Sequence, residues 1–321
     1  MYRTVDEFTL EQLYEYRGTN PRPADFDVFW QQALEELAAV EPQVELVPAE
    51  FQSGAALCHD LYFNGTGGAR IHAKLLRPRR SNESGPAVLR FHGYWGSSGD
   101  WSNHLDYISE GFTVAALDVR GQGGRSQDTV VTSGWTMHGQ FVRGLDDSPE
   151  KLFFRHAYLD TVQLARVVMA LPEVDPARLG ALGGSQGGAL TLACAALEPR
   201  ISRAAPTFPF LSDFKRAWEL NLDKDAYGEL RDYFRRFDPH HDREQEIFEK
   251  LGYIDVHHLS SRIRAEVFFG ISLLDEICPP STQFAAFNNI SSRKTADIYP
   301  DFAHEQLPDH NDRVFQFMSK L

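Results

Sequence analysis

The chain has 321 residues, 42% of them hydrophobic and 24% charged, and a formal net charge of −13. That balance suits a soluble globular protein with a sizeable core, in one large domain or two ordinary ones. The acidity argues against nucleic acid or an anionic membrane as partner, since both demand clustered Lys and Arg, and no apolar run approaches the length of a membrane helix. The stretch Met1 to Glu7 holds acids and no apolar centre, so it does not read as a secretory leader, and a cytoplasmic location is expected. Cys58, Cys194 and Cys278 lie far apart, without a CxxC pair or zinc spacing. They are expected to be free core thiols, with no metal and no cofactor.

In chain order, Asp25 to Leu37 predicts an amphipathic helix with Phe26, Phe29, Trp30, Ala33 and Leu37 on one stripe. Leu57 to Phe63 and Arg70 to Leu76 flank Gly65-Thr66-Gly67-Gly68 and predict a hairpin. Ala87 to Phe91 and Phe112 to Leu117 are short apolar strands. A helix near Asn103 to Glu110 between them would complete a βαβ unit. Ala157 to Leu171 predicts a helix ended by Pro172. Arg178 to Ala181 is a strand, and Ala189 to Leu197 a helix. After Ala204 to Phe208 the character changes. Ser212 to Lys250 is charged and helical, and 212–262 is expected to be a helical insertion, a cap or subunit-contact region, within one domain spanning 1–321. Strand–helix alternation resumes with Glu266 to Ile271, Pro280 to Asn288, Thr295 to Tyr299 and a last helix from Asp309 to Leu321. The fold class is α/β, with a mostly parallel central sheet flanked by helices and an N-terminal helical and hairpin extension.

Between the strand and helix around residue 185 stands Gly183-Gly184-Ser185-Gln186-Gly187-Gly188. Glycines two before and two after a serine, on a strand-to-helix turn, form the nucleophile elbow of α/β-hydrolases. The turn lifts the hydroxyl above the sheet, and the first helical N–H groups point at the same spot. The alternative is a helix-capping serine in a glycine turn. Chain order separates the two. Asp275 follows one strand and His304 the next, giving Ser185, Asp275, His304, the α/β-hydrolase order. In those roles Ser185 attacks, His304 carries the proton and Asp275 fixes the imidazole. Among other histidines, His240, His241, His257 and His258 read as solvated or capping residues. His92 comes too early and suits the oxyanion loop. Glu276, Asp301 and Asp118 are the competing acids. The loop His92-Gly93-Tyr94-Trp95-Gly96 is placed to supply an oxyanion N–H, so the amides of Tyr94 and Gln186 are the expected donors. Asp118 to Gly124 lacks phosphate-loop spacing. A supporting role for Arg120 is expected.

These pieces, with Asp25 to Trp30, Arg120-Gly121-Gln122-Gly123, Asp275 to Thr282 and His304-Glu305, resemble carbohydrate esterase family seven, the acetyl xylan esterases and cephalosporin-C deacetylases, over nearly the whole chain. The resemblance implies a Ser185, Asp275 and His304 triad, with Tyr94 and Gln186 lining the oxyanion hole. It marks Arg120, Gly121, Gln122, Gly123 and Glu305 as supporting positions. It also implies deacetylation of small acetylated sugars and cephalosporin C, and hexamers with active sites facing an inner chamber. Two stretches depart from the family pattern. His304-Glu305 continues with Gln306-Leu307-Pro308 where glycine is common, and Trp95 to Trp101 is individual.

The expected activity is a metal-free serine esterase cleaving short acyl esters through an acyl-enzyme. The partner is a small acetylated substrate, with no nucleic acid and no membrane, and the chain is expected to be a homo-oligomer. Two other readings share the sequence: an acyltransferase, thioesterase or peptidase on the same triad, and a catalytically silent binding protein of this fold.

Overall fold

In the computed structural model, the described residues are 4–79, 84–134, 136, 140–222 and 225–321. Met1 to Arg3 of the amino-terminal stretch, and Asp223 and Lys224 of the charged segment, lie outside them. The elements in order are α1 (Leu10–Glu15), α2 (Phe26–Ala38), β1 (Glu45–Pro48), β2 (Ala56–Asn64), β3 (Arg70–Pro78), β4 (Gly85–Phe91), β5 (Thr113–Leu117), α3 (Phe153–Met169), β6 (Val174–Gly184), α4 (Gln186–Leu197) and β7 (Arg203–Thr207). There follow α5 (Phe214–Glu219), α6 (Gly228–Phe237), α7 (Glu244–Leu251), α8 (Val256–Leu259), β8 (Glu266–Ser272), α9 (Pro280–Asn289), β9 (Lys294–Tyr299) and α10 (His310–Met318).

Among the described residues the sheet has nine strands, in the order β1-β2-β3-β5-β4-β6-β7-β8-β9. The hairpin β2–β3 and its neighbours β1 and β5 pair antiparallel, and from β5 through β9 all pairing is parallel. The expected α/β-hydrolase class is therefore present. Strand order reverses at β4, which has β5 on one side and β6 on the other. In such sheets ligands bind beyond the carboxyl ends of the strands at the reversal. Phe91 and Gly183 are register partners there, and His92 and Ser185 follow them.

Alternation along the strands sorts the two faces. Ala87, Leu89, Phe91, Ala115 and Leu117 join a core with Trp30 of α2, Tyr158 of α3 and Leu190 of α4. Val88 and Val114 pack on the opposite face with Tyr107, Phe112, Val314 and Met318. Helix α4 is buried along its whole length, as befits a helix apolar all round. Cys58, Cys194 and Cys278 are all buried and free.

Some elements differ from expectation. The helix predicted over 103–110 is two 3₁₀ turns, Trp101–His104 and Tyr107–Glu110. The Asp106 side chain accepts from the Tyr107 amide and starts the second turn afresh, which a continuous helix would forbid. Helix α3 begins four residues before its predicted start, at Phe153. Strand β6 continues through the polar stretch Asp175 to Arg178, because Val174 pairs with Gly85 of β4.

Two buried histidines away from the elbow carry a pH consequence. Burial first, then the Arg120 and Arg155 charges, hold His156 down at about 3. Burial likewise holds His104 at about 4. Both imidazoles are neutral in the fold and gain a proton more readily once unfolded, where the ordinary value is about 6.5. The unfolded state therefore binds more protons below that value, and stability falls as pH drops. The urea midpoint is expected to decline between pH 6.5 and 4, with a shallower acid limb in His156→Gln. An acid limb of equal slope in that variant would contradict the assignment.

Candidate active site

Ser185 sits between β6 and α4 with φ 58° and ψ −121°, a backbone state that non-glycine residues adopt at a cost of order 1–3 kcal/mol. The surroundings hold it there. Its amide donates to the Thr207 carbonyl at 3.0 Å and its carbonyl accepts from the Phe210 amide at 3.0 Å. A Cβ on Gly183 or Gly187 would come within 2.5 and 2.1 Å of the Phe91 carbonyl oxygen, so only glycine allows this close approach.

Asp275 follows β8 and His304 follows β9, as their chain positions suggest. The His304 Nδ1 to Asp275 Oδ2 distance is 2.8 Å. Asp275 is fully buried and His304 keeps 18% side-chain exposure. Asp275 Oδ1 accepts the amides of Ile277 at 2.9 Å and Cys278 at 2.8 Å. With both oxygens engaged, Asp275 is oriented and the imidazole carries its proton on Nδ1, leaving Nε2 as the acceptor. The Phe208 ring lies 4.6 Å from the imidazole, centroid to centroid, and confines it further. The Ser185 hydroxyl lies near the buried Cys278 thiol. Among the described residues no hydrogen bond joins it to His304.

Ligand atoms of Asp275, Cys278 and His304 lie within 4.8 Å of one another. A metal would need the thiolate. Burial, and then the Asp275 charge, push the Cys278 thiol well above its usual range, and Asp275 is already committed to His304.

The loop after β4 is fixed by several groups. His92 Nδ1 donates to the Gly93 carbonyl at 2.7 Å, and Nε2 accepts from the Val119 amide at 3.0 Å. Burial holds this imidazole below its usual range, so it is a neutral strut. The Gln186 side chain donates to the carbonyls of His92 and Gly93, each at 3.3 Å, and exchanges bonds with Gln122 at 2.6 and 3.0 Å. Two glutamines therefore lock the Tyr94 loop, the Gln122 loop and the elbow together. The amides of Tyr94 and Gln186 have no acceptor among the described residues. The Tyr94 hydroxyl donates to the buried carboxylate of Glu229 on α6, at 2.9 and 2.8 Å, tying the loop to the segment between β7 and β8.

The other named residues divide clearly. Arg120 is fully buried and grips Asp160 of α3 with two 2.7 Å bonds. It anchors the loop after β5 without touching Ser185. The Gly121 amide donates to the Ser126 carbonyl at 3.2 Å, and the Gly123 amide to Gly96 at 2.9 Å. Glu305 accepts the Ala303 amide at 3.1 Å and closes the His304 loop. Of the competing acids, Glu276 and Asp301 are exposed. Asp118 is occupied by His72 and by the amides of Ser98 and Arg125, at 2.6, 2.6 and 2.9 Å. Burial raises its carboxyl, but these bonds outweigh burial and hold it far below the usual range.

His240 and His241 are exposed. His257, expected to be solvated or capping, is instead buried and bonded to Asp255 at 2.6 Å. The approach of Gly18 from the N-terminal segment covers it. That long-range contact has no local sequence signal.

A second hydroxyl–imidazole–carboxylate row went unread in the sequence. Thr207 Oγ1 lies 2.9 Å from His310 Nε2, and His310 Nδ1 lies 2.8 Å from Asp297. Its place is structural. Thr207 ends an ordinary strand without the strained turn of Ser185, and its carbonyl receives the Ser185 amide. The row pins α10 against β7 and β9. Two crevices, of about 400 and 170 Å³, flank the elbow and share Gly183, Gly184 and Asn311, yet Ser185 and His304 lie in neither wall. Convergent charged groups, not crevice size, mark the site.

The Acetyl xylan esterase (AXE1) family model matches residues 4–321. Acetyl xylan esterase 1 from Thermoanaerobacterium sp. JW/SL YS485 is 53% identical, with a TM-score of 0.96 over 98% of both chains. The acetyl xylan esterase from Paenibacillus sp. R4 is 34% identical, with a TM-score of 0.92 over 98% of this chain and 99% of that one. The acetyl esterase Axe7A of Xylanibacter ruminicola is 27% identical over 319 residues, 98% of this chain and 70% of the relative. This chain belongs to the acetyl xylan esterase family of α/β-hydrolases and is a carboxylic ester hydrolase.

Proposed function

We propose that the chain removes acetyl groups from small acetylated sugars such as xylo-oligosaccharides, and from cephalosporin C, using Ser185, His304 and Asp275. The observation that carries the mechanism is the His304–Asp275 bond beside a strained serine elbow. With substrate bound, the Ser185 hydroxyl donates to His304 Nε2 and attacks the acetyl carbon. The proton passes to Nε2, and Asp275 stabilises the imidazolium. The carbonyl oxygen becomes an oxyanion that accepts from the Tyr94 and Gln186 amides, each worth roughly 3 to 4 kcal/mol of barrier. The bond to the alcohol oxygen then breaks, and His304 returns the proton to the leaving alcohol. Water then gives a proton to His304 as its oxygen attacks the acyl carbon. The bond to Ser185 Oγ breaks, His304 returns the proton to Oγ, and the acetyl group leaves as acetic acid, which ionises to acetate. Closed assembly as a hexamer, implied by the sequence resemblance, is part of the same proposal.

Acetate release from acetylated xylo-oligosaccharides is expected to exceed octanoate release from the matching octanoyl esters by at least tenfold in kcat/KM. Equal rates on the two acyl chains, or no acetate from the sugar, would refute the substrate reading.

A further inference from the structure

Trp95 is half exposed, at 49% of its surface, although it follows directly after a candidate oxyanion residue. Its ring stacks on Tyr94, with centroids 4.8 Å apart and planes 24° from parallel. Tyr94 is itself immobilised. Its hydroxyl donates to Glu229 and accepts from the Phe141 amide at 3.1 Å, and its ring also meets Phe154 and Phe210. With one face of the indole covered by Tyr94, the exposed area belongs to the rest of the ring. Trp95 lines a groove of about 320 Å³ together with Asp225, Glu229, Arg231, Asp232 and Arg235, from α6 and the turn before it.

The exposed part of the indole, set in a groove lined by charged side chains, offers an aromatic face beside hydrogen-bonding groups. It suits a ligand with weakly positive C–H groups on one side and hydroxyls on the other. The negative face of the indole attracts such C–H groups. Carboxylates accept from hydroxyls and the two guanidinium groups donate to them, with charge-assisted bonds. A pyranose ring has that two-sided chemistry. An alkyl chain lacks the hydroxyls, and a planar aromatic acid would meet the carboxylates of Asp225 and Asp232.

We propose that the Trp95 groove is the subsite for the sugar ring of the leaving alcohol, with Trp95 as its specificity-determining platform. This rests on the acetylated-sugar reading above. The stacked pair sets the indole one residue after Tyr94, whose amide is the candidate oxyanion donor. Binding there orients the ester against Ser185 and discriminates sugar esters from simple ones.

The test compares the full-length protein with Trp95→Ala and Trp95→Phe on two substrates, acetylated xylobiose and ethyl acetate. Ethyl acetate carries no ring to stack. In Trp95→Ala the ratio of kcat/KM for the sugar to that for ethyl acetate is expected to fall at least tenfold. In Trp95→Phe the ratio stays within about threefold of wild type. Xylobiose without acetyl groups should inhibit ethyl acetate hydrolysis, and at least tenfold more weakly in Trp95→Ala. Equal losses on both substrates, with unchanged inhibition, would overturn the proposal and assign Trp95 to holding Tyr94. If wild type cleaves ethyl acetate but not acetylated xylobiose, the substrate reading itself fails and takes the subsite with it.

Discussion

Ser185→Ala is expected to lower kcat on p-nitrophenyl acetate by about 10⁴ to 10⁶-fold, the range seen when a triad nucleophile is removed. The fold should survive the change. Alanine keeps the Cβ, so the backbone at φ 58° meets the same restraints from Thr207 and Phe210. Removing the hydroxyl orphans no buried charge. Residual activity would come from the Tyr94 and Gln186 amides, which still polarise the ester carbonyl. Two other nucleophiles stand nearby, and neither is equipped to substitute. Cys278 is fully buried and its thiol is held protonated. Thr207 lies against His310, but on an unstrained strand end. A variant retaining more than a tenth of wild-type kcat, with unchanged circular dichroism, would show that the serine is not the nucleophile.

Asp275→Asn should cost about 10⁴-fold in kcat, with KM changed little, as expected when a triad imidazole is put in the wrong tautomer. The local bonds dictate that outcome. Asp275 Oδ1 accepts two backbone amides, from Ile277 and Cys278. An asparagine must keep its carbonyl oxygen at that position, because its NH₂ would face two donors. The NH₂ then points at His304 Nδ1 and can only donate. His304 is forced to carry its proton on Nε2, where it cannot accept the serine proton. Full activity in Asp275→Asn would mean that His304 is oriented by something else. Asp275→Ala gives a second check, since it removes the orienting group without imposing a tautomer and should be less damaging at high pH.

The legible parts of this molecule are those set by local backbone demands or chain order. The elbow announces itself because a tight turn under the Phe91 carbonyl admits only glycine at 183 and 187. Asp275 and His304 follow because strands β8 and β9 end just before them, and each strand end delivers its loop to the same edge. The rest depends on distant segments meeting. Cys278 reaches Ser185, Phe208 covers His304, and Gln122 locks Gln186 through the packing of separate loops. His310 with Thr207 and Asp297 unites a strand end, a strand interior and a helix start. His257 looks solvated in a charged sequence, yet Gly18, more than two hundred residues away, buries it. The lost helix at 103–110 shows a local limit. Its apolar spacing suits a helix, but Asp106 caps a new turn in its middle.

The central claim is that acetyl passes through Ser185. Rapid acid quench of the enzyme during p-nitrophenyl acetate turnover, followed by proteolysis and mass mapping, reads this directly. A single added acetyl on the peptide holding Ser185, absent in Ser185→Ala, is the predicted result. Acetyl on Cys278 or Thr207 instead, or an enzyme that turns over with no covalent acetyl at any residue, would contradict it.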